Sequence, residues 1–413
     1  MKKTLLLIIP FILLSVGCKS KKEIPLAQGK KLYEIHCAAC HGISGNGEGP
    51  LSPNLFPKPR DLTTGILKYR TTRGPVPSDL DILQTMKVGI PGTSMPGWDL
   101  LSLQDWESVL AYVKTFSPKW VDRESGPAVE IPEQPKTTPY QVQMGQALYM
   151  KSGCISCHGL SGNGDGLAAP ILRDVWGDRI APRNFAHGPL KWGNQPKDIY
   201  RTLALGIPGT PMPSYEQTFS KEDLWALAYY IQSLQIPLPK NYDPAEPKRT
   251  LIQSKKIEGP LPTNPADTQW KTTEETSVFL KSLWHSGLST EWLSVKSLHN
   301  GHEMAILIRW KDNQKDMSEE KNDSVTAQFP SKSISDPIDL PFLGFGITSP
   351  ERKLWQTSAI NDGVYESGEW NMILKGDIPQ KPVGYVSFLL SDPDLPNHSG
   401  PDGFSEWMIY ETK

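Results

Sequence analysis

The pattern Cys37-Ala38-Ala39-Cys40-His41 occurs a second time as Cys154-Ile155-Ser156-Cys157-His158. Cysteines three apart share one face of a helical turn. A single short turn therefore holds both thiols on one side, and the histidine that follows points the same way. C-x-x-C-H is the attachment signature of c-type haem. The thiols bond the vinyl groups, and the histidine is the proximal iron ligand. Paired cysteines can also serve zinc or thiol redox chemistry. A zinc site needs two more ligands close by, and neither copy has them. The chain must fold around two covalently held haems.

A second matched element supplies the other axial ligand. Gly89-Ile90-Pro91-Gly92-Thr93-Ser94-Met95-Pro96 follows the first motif, and Gly206-Ile207-Pro208-Gly209-Thr210-Pro211-Met212-Pro213 follows the second. Met95 stands 54 residues after His41, and Met212 stands 54 after His158. An isolated methionine is usually core filler. A methionine in the same Gly/Pro-rich loop at the same distance, twice, is a ligand. His/Met ligation fills both axial positions and raises the reduction potential. Both haems are expected to be six-coordinate electron-transfer centres, with no open site for a substrate.

The repeat extends beyond the ligands. Gly29-x-x-Leu32-Tyr33 and Gly145-x-x-Leu148-Tyr149 precede the motifs and read as helices. The run from His41 to Gly49 matches that from His158 to Gly166, a glycine-rich loop close to the haem. Pro59-Arg60-Asp61-Leu62 matches Pro182-Arg183-Asn184-Phe185. Each copy closes with a helix, Ser102 to Phe116 and Ser220 to Leu234, with serine N-caps. Each copy resembles a class I cytochrome c domain. That resemblance implies that the first and last helices cross at a small residue facing an aromatic, here Gly29 against Tyr112 and Gly145 against Tyr229. Arg60 and Arg183 are either solvated loop arginines or bidentate partners for a haem propionate. His36 and His187 have no matched counterparts and read as structural or surface residues.

The N-terminus has Lys2-Lys3, an apolar run from Leu5 to Leu14, and Ser15-Val16-Gly17-Cys18. This is the layout of an export signal, and the run is short for a bilayer span. Cys18 is the one cysteine the haem motifs do not use. Small residues before it resemble a bacterial lipoprotein signal, although Ser15 replaces the leucine usual there. Residues 1–17 are thus expected to be a signal peptide, with Cys18 lipidated and the protein held to a bacterial membrane on the periplasmic side. Cytochrome c domains are expected over 24–120 and 138–236. The formal charge of −2 becomes −4 once Lys2 and Lys3 leave, and nothing points to nucleic acid.

Proline-rich sequence over 237–265 reads as a stiff linker. Short β-branched and aromatic runs follow, at Met304–Trp310, Ser324–Phe329, Trp370–Leu374, Val383–Leu390 and Trp407–Tyr410. Seven of the thirteen tryptophans lie in this part, which suits a strand-built core. An all-β sandwich is expected over 266–413. The fold class is thus multidomain, two all-α cytochrome c domains followed by an all-β sandwich. His302–Asp312, Asp323–Pro330, Pro341–Ile347 and Ser405–Trp407 resemble the haem b subunit of ethylbenzene dehydrogenase and related type II molybdenum enzymes. That family binds haem b through a methionine and a lysine. Leu343 and Gly403-Phe404 stand where those ligands would fall, so a third, b-type haem is not expected.

The residues therefore point to a lipid-anchored dihaem cytochrome, not itself an enzyme, that relays single electrons. Its β-domain would dock it to a redox partner, by resemblance a molybdenum oxidoreductase or a terminal reductase or oxidase. Two alternatives stand beside this reading. One is a peroxidase-like dihaem enzyme, which needs one haem with an open position. The other is a ligand-binding module with ancillary haems.

Overall fold

The computed structural model describes residues 26–412 except 75, 99–100, 187–188, 236, 238–249, 283–291, 313–314, 316, 318–321, 331–351, 359–360, 362, 380–382, 392–402 and 405–407. Cys18 with the apolar run before it, His187, Leu343 and Ser405 to Trp407 lie outside the described residues. Among the described residues no helix is long and apolar enough to cross a membrane.

The first module comprises α1 (Leu26–His36), α2 (Ala38–His41), α3 (Asp79–Val88), α4 (Leu103–Lys114) and α5 (Pro118–Asp122). The second comprises α6 (Pro139–Lys151), α7 (Cys154–His158), α8 (Pro196–Leu205) and α9 (Lys221–Ser233). Side-chain caps set the helix starts. The Ser78 and Ser220 hydroxyls accept from the Asp81 and Asp223 amides, and those carboxylates accept from the serine amides in return. Ser102 accepts from the Asp105 amide. Thr138 and Gln141 form the same reciprocal box behind Pro139, whose missing amide costs nothing in a first turn.

The helix crossings follow from two glycines. A Cβ on Gly29 would lie 1.9 Å from the Ser108 carbonyl oxygen, and one on Gly145 would lie 2.0 Å from that of Ala226. Only a bare Cα lets α1 meet α4, and α6 meet α9, this closely. Tyr112 covers the first crossing as expected. Tyr230, rather than Tyr229, covers the second, its Cβ 2.8 Å from where a Gly145 Cβ would stand. The reason is helical register: Tyr230 follows Ala226 by one turn, as Tyr112 follows Ser108. Tyr229 instead stacks on Trp225 and donates from its hydroxyl to the Pro135 carbonyl.

The C-terminal part is built of β1 (Leu251–Lys256), β2 (Thr276–Phe279), β3 (Lys281–Ser282), β4 (Trp292–His299), β5 (Glu303–Lys311), β6 (Ser324–Pro330), β7 (Arg352–Ser358), β8 (Val364–Glu366), β9 (Glu369–Asp377), β10 (Val383–Ser391), β11 (Gly403–Phe404) and β12 (Met408–Thr412). The first half of β10 pairs with β12 and its second half with β6, so this strand passes from one sheet to the other. Side chains from both sheets, among them Ile306, Trp370, Phe329 and Phe388, meet in one buried cluster. The expected linker over 237–265 is corrected at its end: β1 lies within it and pairs in parallel with both β12 and β4. Met304 and Met372 are fully buried in this core.

Candidate haem sites

The two C-x-x-C-H turns are α2, entered from Cys37, and α7. A buried tyrosine fixes each: Tyr33 and Tyr149 donate to the carbonyls of Gly42 and Gly159, both at 2.7 Å. Those glycines follow the histidines and take φ of 76° and 75°, a region closed to most side chains. Behind them, a Cβ on Gly49 or Gly166 would strike the turn's own carbonyls, Ala39 at 2.4 Å and Ser156 at 2.3 Å. The glycine-rich run wraps the turn as the sequence implies.

The histidines are held by backbone. His41 Nδ1 lies 3.0 Å from the Arg60 carbonyl oxygen, and His158 Nδ1 lies 3.2 Å from that of Arg183. A carbonyl can only accept, so Nδ1 carries the proton and Nε2 presents its lone pair. Burial lowers the pKa of both imidazoles and favours the neutral, metal-binding form. Burial also pushes the Cys37 thiol up to about 12 and the Cys40 thiol up to about 11.

The two methionine loops are superimposable in their bonding. The amides of Ile90 and Ile207 donate to the carbonyls of Met95 and Met212, each at 3.0 Å. The amides of Met95 and Met212 donate to the hydroxyls of Thr93 and Thr210, each at 3.2 Å. Those hydroxyls donate in turn to the Ile90 and Ile207 carbonyls. Gly89 and Gly206 close the loops, since a Cβ on either would sit 2.5 Å from the proline carbonyl carbon after the methionine.

Each set of predicted residues lines one cavity. Cys154, Cys157, His158 and Met212 border a cavity of about 660 Å³, with Arg183 on its wall. Cys37, Cys40, His41 and Met95 border a narrower one of about 160 Å³, with Arg60 on its wall. Two thiols, an imidazole with its Nε2 lone pair available, and a thioether across an apolar space fit a covalently held haem, and little else uses that donor set. His36 is buried against Trp98 in the first wall.

Lys68, Tyr69, Lys191 and Trp192 went unread in the sequence. Lys68, Tyr69 and Lys191 line both cavities. Tyr69 stacks on Trp192 across the junction between modules, ring centres 5.5 Å apart and 18° from parallel. A signal existed: Leu67-Lys68-Tyr69 and Leu190-Lys191-Trp192 stand at the same offset after Arg60 and Arg183. The arginine side chains also reach across. The Arg60 guanidinium lies 3.9 Å over the Trp176 ring, which packs on Gly209 of the second methionine loop. Arg183 packs on Gly92 of the first. Arg73 adds a forked ion pair to Glu216.

A cytochrome c family model matches residues 26–117 and 142–235. Cytochrome c-554(547) of Halothiobacillus neapolitanus is 36% identical over 93 residues, 22% of this chain and 94% of that protein. The cbb3-type cytochrome c oxidase subunit CcoP of Helicobacter pylori (strain 52) is 26% identical over 222 residues, 52% of this chain, and the chain spans only 60% of that protein's length. A chain of the Kuenenia stuttgartiensis reducing HAO-like protein complex Kustc0457/Kustc0458 superimposes with a TM-score of 0.50 at 38% identity, covering 52% of this chain and all of that one. Two domains that repeat one haem-binding geometry, each covered by the same family, place this chain in the cytochrome c family.

Proposed function

We propose that the protein is a dihaem c-type cytochrome, lipid-anchored at Cys18 on the periplasmic side of a bacterial membrane, that relays single electrons to or from an extracytoplasmic oxidoreductase. The observation that carries this reading is the pair of cavities bordered by the same four ligand-type residues in the same bonded frames. Cys37, Cys40, Cys154 and Cys157 hold the haems covalently. His41 and Met95 ligate one iron, and His158 and Met212 the other. When bound, haem c supplies reversible one-electron chemistry at iron. The protein keeps both imidazoles neutral and oriented through the Arg60 and Arg183 carbonyls, and Met95 and Met212 would supply the second iron donor in each site. Arg60 and Arg183 line the cavities as propionate partners. Saturated ligation favours electron relay over peroxide chemistry, which needs a vacant position.

A redox partner agrees with the relatives: one is a subunit of an oxidase, another belongs to a protein complex. A molybdenum oxidoreductase or a terminal reductase or oxidase is the class of partner we assign, with the β-domain as the docking element and no b-type haem of its own. The test is a haem count. Purified protein should give two haems per chain by the pyridine haemochrome assay, both retained through acid–acetone extraction, and Cys37→Ser or Cys154→Ser should each break one attachment only. Extraction of both haems from the wild type would sink the assignment. The anchor is tested separately: Cys18→Ser should abolish labelling by a fatty-acid probe and move the cytochrome from the membrane to the soluble fraction. Unchanged labelling would place the lipid elsewhere or remove it from the reading.

A further inference from the structure

The junction between the two cytochrome modules gathers more positive charge than protein acids neutralise. Arg60, Lys68, Arg183 and Lys191 all border the cavities there. The acids that oppose Arg60 and Lys68 are Asp174 and Asp178, with Asp61 also beside Arg60. Asp178 already pairs with Lys58 at 3.5 Å, and the Asp61 carboxylate accepts from the Thr63 amide and hydroxyl. The two guanidiniums have protein partners, Arg60 the Trp176 ring and Arg183 the Pro189 carbonyl at 2.9 Å. The two lysines differ. Neither ammonium has a hydrogen bond or ion pair with the protein among the described residues. Burial pushes the Lys191 ammonium down to about 7 and the Lys68 ammonium down to about 8, with neighbouring cations adding to the effect. Two half-buried ammoniums that line both cavities, with no ion-pair partner among the described residues, make this junction a seat for an anion.

Haem supplies one, because its propionates are carboxylates. Lys68 belongs to the first module and Lys191 to the second, yet each lines both cavities. Tyr69 and Trp192, the residues that follow the two lysines, stack on each other at the same junction. We infer that Lys68 and Lys191 form one cationic seat shared by the propionates of both haems, which couples the two redox equilibria across the module junction. The inference rests on the two-haem reading above. Its physical content is a charge effect. The oxidised iron site carries one more positive charge than the reduced one, so a nearby cation favours reduction. A seat shared by both sites must act on both.

The test is a spectroelectrochemical titration of the full-length holoprotein, comparing wild type with Lys68→Met and Lys191→Met. Methionine keeps the apolar stem and removes the charge. Either substitution should shift both one-electron steps downward, raising the oxidised-to-reduced ratio at each wild-type midpoint by roughly threefold or more. Lys191→Arg, which keeps the charge, should leave both midpoints close to wild type. A shift confined to one haem, or no shift, overturns the shared seat. If Lys191→Met fails to assemble, Lys68→Met reads the same seat from the other module. A haemochrome count on the same samples separates the two levels: fewer than two haems in the wild type overturns the dihaem reading and the seat with it. Two haems with an unshared shift overturn the seat alone.

Discussion

Alanine in place of Met95 or Met212 should remove about half of the weak near-infrared methionine–iron band of the oxidised protein and lower that haem's midpoint, on the order of 100 mV within the ~0.8 V span that axial ligands command. The loop geometry is the reason to expect so specific a loss. Each methionine is locked by its own amide and carbonyl, through Thr93 and Ile90 in one module and Thr210 and Ile207 in the other. The loop is braced by backbone bonds, so removing the thioether should leave it in place. The lost ligand is not replaced from within such a loop, and the iron becomes open to water or added ligands. Imidazole or cyanide binding should therefore appear at the altered site and not at the intact one. The prediction fails if neither substitution changes the band, since the ligands would then lie elsewhere.

The proposed ligand set is legible because covalent haem attachment tolerates little variation. Two thiols and an imidazole must sit on one turn, so the five-residue pattern survives in the sequence intact. The methionines were legible only through duplication, since one Met in a Gly/Pro loop says little and two at equal spacing say a great deal. Arg60 and Arg183 were picked out for their guanidiniums, while their backbone carbonyls hold the histidines. No side-chain pattern can announce a carbonyl. The lysine–aromatic pair at the junction was repeated but unread, because its meaning comes from one module meeting the other. The second crossing takes Tyr230 where the resemblance implies Tyr229, because the two are adjacent and only the helix register separates them.

The strand β1 was hidden for a different reason, and it leads to the sharpest test of the C-terminal domain. Leu251-Ile252-Gln253-Ser254-Lys255-Lys256 is mostly polar and follows a proline-rich stretch, so its sequence reads as linker. In the sheet it lies between β12 and β4, bonded in parallel to both. Ile252 is buried in the main core, and Ser254 accepts a 2.8 Å hydrogen bond from Ser297 in the interior. Without β1, two strands lose a partner and their amides and carbonyls open to water at the middle of the sheet. Truncating Ile252 alone should cost about 2–5 kcal/mol. Losing the whole strand adds an unpaired edge on each side, which is enough to exhaust the ~5–15 kcal/mol that holds a typical domain together. A fragment from Asp267 to Lys413, the boundary the sequence suggests, should therefore remain unfolded or aggregate. A fragment from Thr250 to Lys413 should give a β-rich circular dichroism spectrum and a cooperative melt. The longer fragment, expressed with haem supplied, should show no b-type α-band after reduction. A cooperative melt from the shorter fragment would mean that β1 is an appendage and not part of the core. A stoichiometric b-type band from the longer one would make the protein a trihaem cytochrome, with the sandwich as a redox centre in its own right.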